Sequence, residues 1–183
     1  MSKRDKDQNE IHEIGIIGEI SEENSGFFDE LLEIQPGGEC ILYFDSPGGN
    51  TYTALAMLTL LRLRNIHATG IVLGECSSAA LLPLAACEKR YVTPWSTLLF
   101  HAMRWQSDDD VKMEEAAEWA RHFHDLENKM DVLMAEQFPA SLELIQTWNR
   151  PGKYVTGPEF AEAGLAKMIP LECLPELKKY VRK

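Results

Sequence analysis

Three short segments carry residue types that could do acyl-transfer chemistry. Gly74-Glu-Cys-Ser-Ser78-Ala-Ala80 places a serine after a glycine and ahead of small residues. Glycine permits a sharp turn out of a strand. A serine at the start of the following helix keeps its oxygen accessible beside backbone N–H groups, and small side chains let that helix pack closely on a sheet. This is the logic of a nucleophile elbow without the G-x-S-x-G spelling; alone, such a serine is also an ordinary N-cap. Ser46-Pro-Gly-Gly49 reads as a turn. Its two glycines also let the backbone approach a ligand, and the N–H of Gly49 with that of Ala79 would make a two-donor oxyanion hole. His101 closes the apolar run Leu98-Leu-Phe100 after the Ser78 helix, although a lone histidine there also serves as a satisfied structural residue. The other histidines fit less well: His12 lies in the first expected strand, His67 precedes another, and His122 and His124 fall on a long helix.

The apolar pattern predicts the elements that must position these groups. Ile11 to Ile20 reads as a strand, and Ser21 can cap a helix to about Gln35 with Phe27, Phe28, Leu31, Leu32 and Ile34 on its apolar face. Pro36-Gly-Gly38 ends it. Cys40 to Phe44 is a buried strand, Asp45 to Gly49 a loop, Thr51 to about Arg64 a helix, and Ala68 to Leu73 a second buried strand. Gly74 to Ser77 then turns into a helix of small residues from Ser78 to Ala86. Short strands follow near Arg90–Val92 and Leu98–His101. A long helix runs from Ser107, its N-cap, to about Phe138; Asp108, Asp109, Asp110, Glu114 and Glu115 suit the positive end of its dipole. Met113, Ala116, Ala117, Ala120, Phe123, Met130 and Leu133 form its apolar stripe, for core or for a partner helix. Thr156 caps a short helix that begins near Pro158 and ends at Gly164. The alternation of strands and helices over the first half predicts right-handed crossovers and a mostly parallel α/β sheet, with sites at the carboxyl ends of its strands.

Bulk properties narrow the function classes. The 183 residues suit one domain, 11–183, behind a polar N-terminal stub, 1–10, expected to be disordered. A net charge of -11 argues against nucleic acid or anionic membrane surfaces as main partners. No stretch approaches the roughly 18 apolar residues of a membrane span; the longest, Ala79 to Cys87, is interrupted by Pro83. The charged start is followed by no apolar region, so it does not read as a signal peptide, and a cytoplasmic location is expected. Cys40, Cys76, Cys87 and Cys173 match no metal-site spacing and read as buried free thiols. No metal or cofactor is expected.

In combination the segments are far more specific. Ser46-Pro-Gly-Gly49, 29 residues on to Ser78, then Leu-Phe-His101 and a long helix resemble the proteolytic subunit of Clp protease. Ile41-Leu-Tyr-Phe-Asp-Ser-Pro-Gly-Gly49 is similar to that family's strand and oxyanion loop. Gly74-Glu-Cys-Ser-Ser78-Ala-Ala80 is similar to its nucleophile turn, and Thr156-Gly-Pro-Glu-Phe-Ala-Glu-Ala-Gly-Leu165 to its late S-A-x-E-A-x-x-Y-G-L segment. The resemblance runs from about Ile14 to Pro170. It implies a ClpP/crotonase-type α/β fold: a mostly parallel sheet covered by helices in repeated ββα-type units, with a long protruding handle helix from about Val111. It further implies a serine endopeptidase with Ser78 as nucleophile, His101 as base and acid, and Gly49 and Ala79 as the oxyanion hole. Peptides or unfolded proteins would be the substrates, a homo-oligomeric ring the assembly, and an ATP-driven AAA+ unfoldase the feeding partner.

Three departures bear on these expectations. Gapless alignment of Ser141–Ile145 and Thr156–Leu165 puts Gly152 where the family has the aspartate that orients the histidine; Asn149 is the nearest candidate third member, and a backbone carbonyl or water could partly substitute. The polar stub stands where the family has an axial loop and short helix, which counts against unfoldase docking. Ala102 to Asp110 lacks the family's Gln-Pro pair and glycine-rich strand. The alternatives are a ring subunit with little activity and a structural or regulatory role, and a crotonase-type acyl-CoA enzyme, whose carboxylate bases find no match here.

Overall fold

The computed structural model describes residues 11–23, 26–106 and 110–170. The expected disordered stub, Ser107 as a helix cap, Asp108, Asp109 and Cys173 lie outside the described residues. Contacts gather the chain into two compact units, one made of residues up to Leu98 and from Val155 onward, the other of Leu99–Tyr154.

The first unit is built on parallel strands β1 (His12–Ile17), β2 (Glu39–Ser46), β3 (His67–Ser77), β4 (Lys89–Val92) and β7 (Lys167–Met168), adjacent in that order. Parallel neighbours need crossovers. Helices α1 (Gly26–Glu33), α2 (Thr51–Leu63) and α3 (Leu81–Ala86) supply the first three. Burial on both faces of a parallel sheet calls for continuous apolar runs rather than alternation. Cys40, Ile41, Leu42 and Phe44 of β2 and Ala68, Ile71 and Val72 of β3 are accordingly buried, as is all of α3. Truncating such a side chain, Leu42→Ala for instance, removes about 2–5 kcal/mol.

Several boundaries depart from expectation. β1 stops at Ile17, before Gly18 at φ 76°, and Ile20 forms only an isolated bridge to Gly49. α1 is described from Gly26, and its Leu32 is exposed. β2 runs on through Asp45 and Ser46, and β3 through Ser77, so the expected turn at Gly74–Ser77 is strand. Helix α6 (Gly157–Glu162) keeps its expected cap, the Thr156 hydroxyl accepting from the Glu159 N–H (3.3 Å).

The second unit centres on α4 (Met113–Gln137) and α5 (Leu142–Asn149). Strands β5 (Thr97–Phe100) and β6 (Lys153–Thr156), paired with each other, span its boundaries in the chain. Buried Phe100 packs on Phe138 and edge-on against Trp148, with ring centroids 6.3 and 4.9 Å apart. Ile145, Met134 and Ala135 of these helices are buried as well. α5, which the apolar pattern had not marked, is capped by Ser141 Oγ, which accepts from the Leu144 N–H (3.1 Å). α4 starts later than expected, with Lys112 before it and the Glu115 carboxylate accepting from the Lys112 N–H. Its buried residues, Asp131, Met134 and Ala135, all lie near its C-terminal end, and Met113 is 84% exposed. The expected stripe is therefore only half-covered or open along the first part of the helix, where Trp105 stacks on Phe123 and meets Trp119 edge-on.

Candidate active site

Ser78 sits where β3 ends. Ser77 is still extended (φ -117°), Ser78 turns sharply into the left-handed region (φ 55°), and a short 3-10 turn over Ser78–Ala80 leads into α3. A non-glycine residue in that region costs roughly 1–3 kcal/mol and persists only where the surroundings enforce it. The enforcement is visible on both sides. Behind Ser78, the fully buried Leu-Leu-Pro-Leu-Ala-Ala helix anchors the chain. Ahead of it, β3 carries two more residues than β2 between the pairs Phe44–Val72 and Ser46–Cys76. Such a bulge re-aims the strand end. The Asp45 carboxylate fills the irregularity by accepting from the Glu75 N–H (3.1 Å), and the Ser77 hydroxyl donates to Glu75 Oε1 (2.6 Å).

The Ser46–Gly49 loop lies directly against this corner. A methyl group on Gly48 would lie 2.6 Å from the Ser77 carbonyl oxygen, 2.7 Å from the Ser78 Cβ and 2.9 Å from the Ala79 nitrogen. Only a glycine allows that approach, and the loop needs φ 95° there as well. Buried Ser46 holds the loop by donating its hydroxyl to the Gly18 carbonyl (2.6 Å) and accepting from the Gly48 N–H (3.1 Å). The bridge to Ile20 uses the Gly48 carbonyl and the Asn50 N–H, leaving the Gly49 N–H outside it. Ala79 lies at a helix start, where N–H groups lack intrahelical acceptors. Asn50 caps α2 through the N–H groups of Tyr52 and Thr53. Ser78, Ala79, Gly49, Gly48 and Ser46 thus belong to one local assembly; the loop-holding role of the Ser46 hydroxyl was not marked in the sequence.

Burial raises the thiols of this unit. Cys40 is pushed up to about 12, and Cys76 and Cys87 are raised by burial first and by neighbouring charge second. These three remain protonated at neutral pH, so none is an activated nucleophile. No cluster of His, Cys, Asp or Glu among the described residues is placed to hold a metal ion.

In the second unit His101 follows the last residue of β5 and is half-buried. Its Nδ1 lies 2.6 Å from the Ala102 carbonyl oxygen, and the Ala102 N–H donates to the Asn149 carbonyl (3.1 Å). The Asn149 side chain is engaged elsewhere: its Nδ2 donates to Asp131 Oδ1 (2.7 Å). Gly152, at φ 122°, lies beside His101, so the position expected to carry an orienting carboxylate is adjacent to the histidine and has no side chain. The Ala102 carbonyl escaped sequence reasoning because a backbone acceptor has no residue signature.

The family model described as Clp protease matches residues 9–171.

Proposed function

Because the chain belongs to the Clp protease family, we propose that it is a serine-type endopeptidase that cuts peptides or unfolded proteins through an acyl-enzyme on Ser78. In this mechanism His101 Nε2 takes the Ser78 hydroxyl proton as Oγ attacks the scissile carbonyl. The N–H groups of Gly49 and Ala79 hold the resulting oxyanion. Protonated His101 then gives its proton to the departing amine, leaving an ester on Ser78. A water deprotonated by His101 attacks that ester, and Ser78 recovers a proton as the acid product leaves.

The observation that carries this reading is the corner at Ser78: a serine held at positive φ between a bulged strand and a buried helix, with Gly48 pressed against it. The Ala102 carbonyl supplies the third group. A carbonyl has no proton to give, so His101 Nδ1 must donate to it, which leaves Nε2 free to act as base in the neutral ring. Replacing the aspartate of a triad by an amide costs about 10⁴ in rate because it enforces the wrong tautomer. A carbonyl keeps the right one and lacks only the carboxylate's charge, so turnover is reduced rather than abolished. Asn149 contributes through its backbone, which holds Ala102. A homo-oligomeric ring joined through α4 and a cytoplasmic setting complete the proposal, with feeding by an AAA+ unfoldase left out of it because the polar stub counts against docking; the open first half of α4 supports the ring. Among the described residues no helix is long and apolar enough to cross a membrane.

Gly152 beside His101 favours a second reading, a ring subunit with little activity of its own. Peptide cleavage by the assembled protein and its Ser78→Ala variant separates the two. Turnover that disappears in the variant supports the peptidase, and equal rates support the structural subunit.

A further inference from the structure

A buried carboxylate stands behind the histidine. Asp131, near the C-terminal end of α4, is 1% exposed, and Asn149 at the end of α5 is 3% exposed. Asp131 Oδ1 accepts from the Asn149 Nδ2 (2.7 Å) and Oδ2 from the Arg150 guanidinium (2.6 Å), whose other arm reaches Glu127 Oε1 (2.6 Å). Both carboxylate oxygens are therefore spent on two consecutive residues. The backbone of the first continues the connection: the Asn149 carbonyl accepts from the Ala102 N–H, and the Ala102 carbonyl accepts from His101 Nδ1.

We propose that Asp131 is a positioning residue for His101, acting through Asn149 and Ala102. The inference rests on the reading of His101 as the general base. A buried ion pair is a poor choice for stability alone, since apolar residues of similar volume generally stabilise as well or better. The surroundings of Asp131 offer that alternative, because Met134 and Ala135 beside it on α4 are buried apolar residues. What a carboxylate adds is direction: two fixed acceptors that hold the side chains of Asn149 and Arg150 at set angles, and so fix the carbonyl that orients Ala102. The carboxylate that Gly152 cannot provide next to the ring is thus replaced at a distance by one that holds the ring's backbone partner.

The test uses the full chain with ¹⁵N-labelled histidine and the variants Asp131→Ala and Asp131→Asn. Asn keeps the size of the side chain and an acceptor for Asn149, so it carries the test should Ala fail to fold. In the parent protein the His101 ring is expected as a single Nδ1–H tautomer. In the variants the Nδ1 resonance should shift or split, most in Asp131→Ala. Fluorophosphonate labelling of Ser78 should slow by about tenfold or more in Asp131→Ala, as misplacing a catalytic group by an ångström can cost up to about 10², and by less in Asp131→Asn. KM for a peptide should stay near the parent value, and the surface variant Glu33→Ala on α1 should behave as the parent. A folded Asp131→Asn with an unchanged His101 resonance and labelling rate would overturn the inference. Absence of labelling in the parent protein would instead remove the peptidase reading, and the His101 resonance would still decide the role of Asp131.

Discussion

Gly152 lies against His101: a first side-chain carbon on residue 152 would sit 3.4 Å from the His101 Cβ. That is ordinary contact distance, so space is not what demands glycine. The backbone is, since φ 122° disfavours every L side chain. Gly152→Ala should therefore destabilise the protein by about 1–3 kcal/mol, read as a lower urea midpoint at unchanged slope. An unchanged midpoint would show that this loop relaxes freely.

Gly48→Ala should act differently, through crowding at Ser78. Its new methyl would meet the Ser77 carbonyl, the Ser78 Cβ and the Ala79 nitrogen at 2.6–2.9 Å, two of them backbone atoms that cannot swing aside. The expected outcome is a peptide turnover at least about 10²-fold lower, the cost of displacing a reacting group by an ångström. Parent-level turnover in the variant would mean that the loop does not set the position of Ser78.

Alkaline pH should weaken the fold through its thiols. In the folded chain burial holds Cys40 at about 12 against an ordinary 9.0, and raises Cys76 and Cys87 too. Below pH 9.0 both folded and unfolded thiols are protonated and this contribution is fully present. Above it the unfolded chain loses protons that the folded chain keeps, so stability falls as pH rises from about 9 toward 12. Urea melts across that range should show the decline, and replacing Cys40 by Ala should flatten it. At pH 8 in native buffer, iodoacetamide should leave Cys40, Cys76 and Cys87 unmodified by peptide mapping.

Arg150→Ala should cost about 1–3 kcal/mol, the penalty for leaving a buried charged acceptor short of a donor. The Arg150 guanidinium is held above its usual pKa, first by its hydrogen bond to Asp131. Because the guanidinium is itself partly exposed, the loss arises at the Asp131 end, which is 1% exposed. Arg150→Lys, with one donor arm in place of two, should recover only part of the difference. Equal unfolding midpoints for parent and Arg150→Ala would contradict this.

Much of the setting of Ser78 was legible in the sequence. Apolar runs at Cys40–Phe44 and Ala68–Leu73 mark buried parallel strands, and the serine after the second marks the strand end. The turn itself was misplaced because Gly74 has a different task. A methyl group there would lie 2.8 Å from the Asp45 carboxylate oxygen, so the glycine makes room for a side chain within the bulge, and Ser78 makes the corner. That distinction depends on the register between two strands, which no local pattern carries. The surroundings of His101 were legible in outline, through the gapless placement of Gly152. Asp131 was not, because an acidic residue on a helix rich in acids reads as solvated until Asn149 and Arg150, 18 and 19 residues away, are brought to it.

Everything proposed for the site depends on Ser78 being an activated nucleophile. The most direct test is covalent labelling of the assembled protein with a fluorophosphonate, followed by peptide mapping. A single adduct on Ser78 is expected, lost in Ser78→Ala and strongly slowed in His101→Ala. A folded, assembled protein that takes up no label at Ser78, or labels equally well without His101, would contradict it.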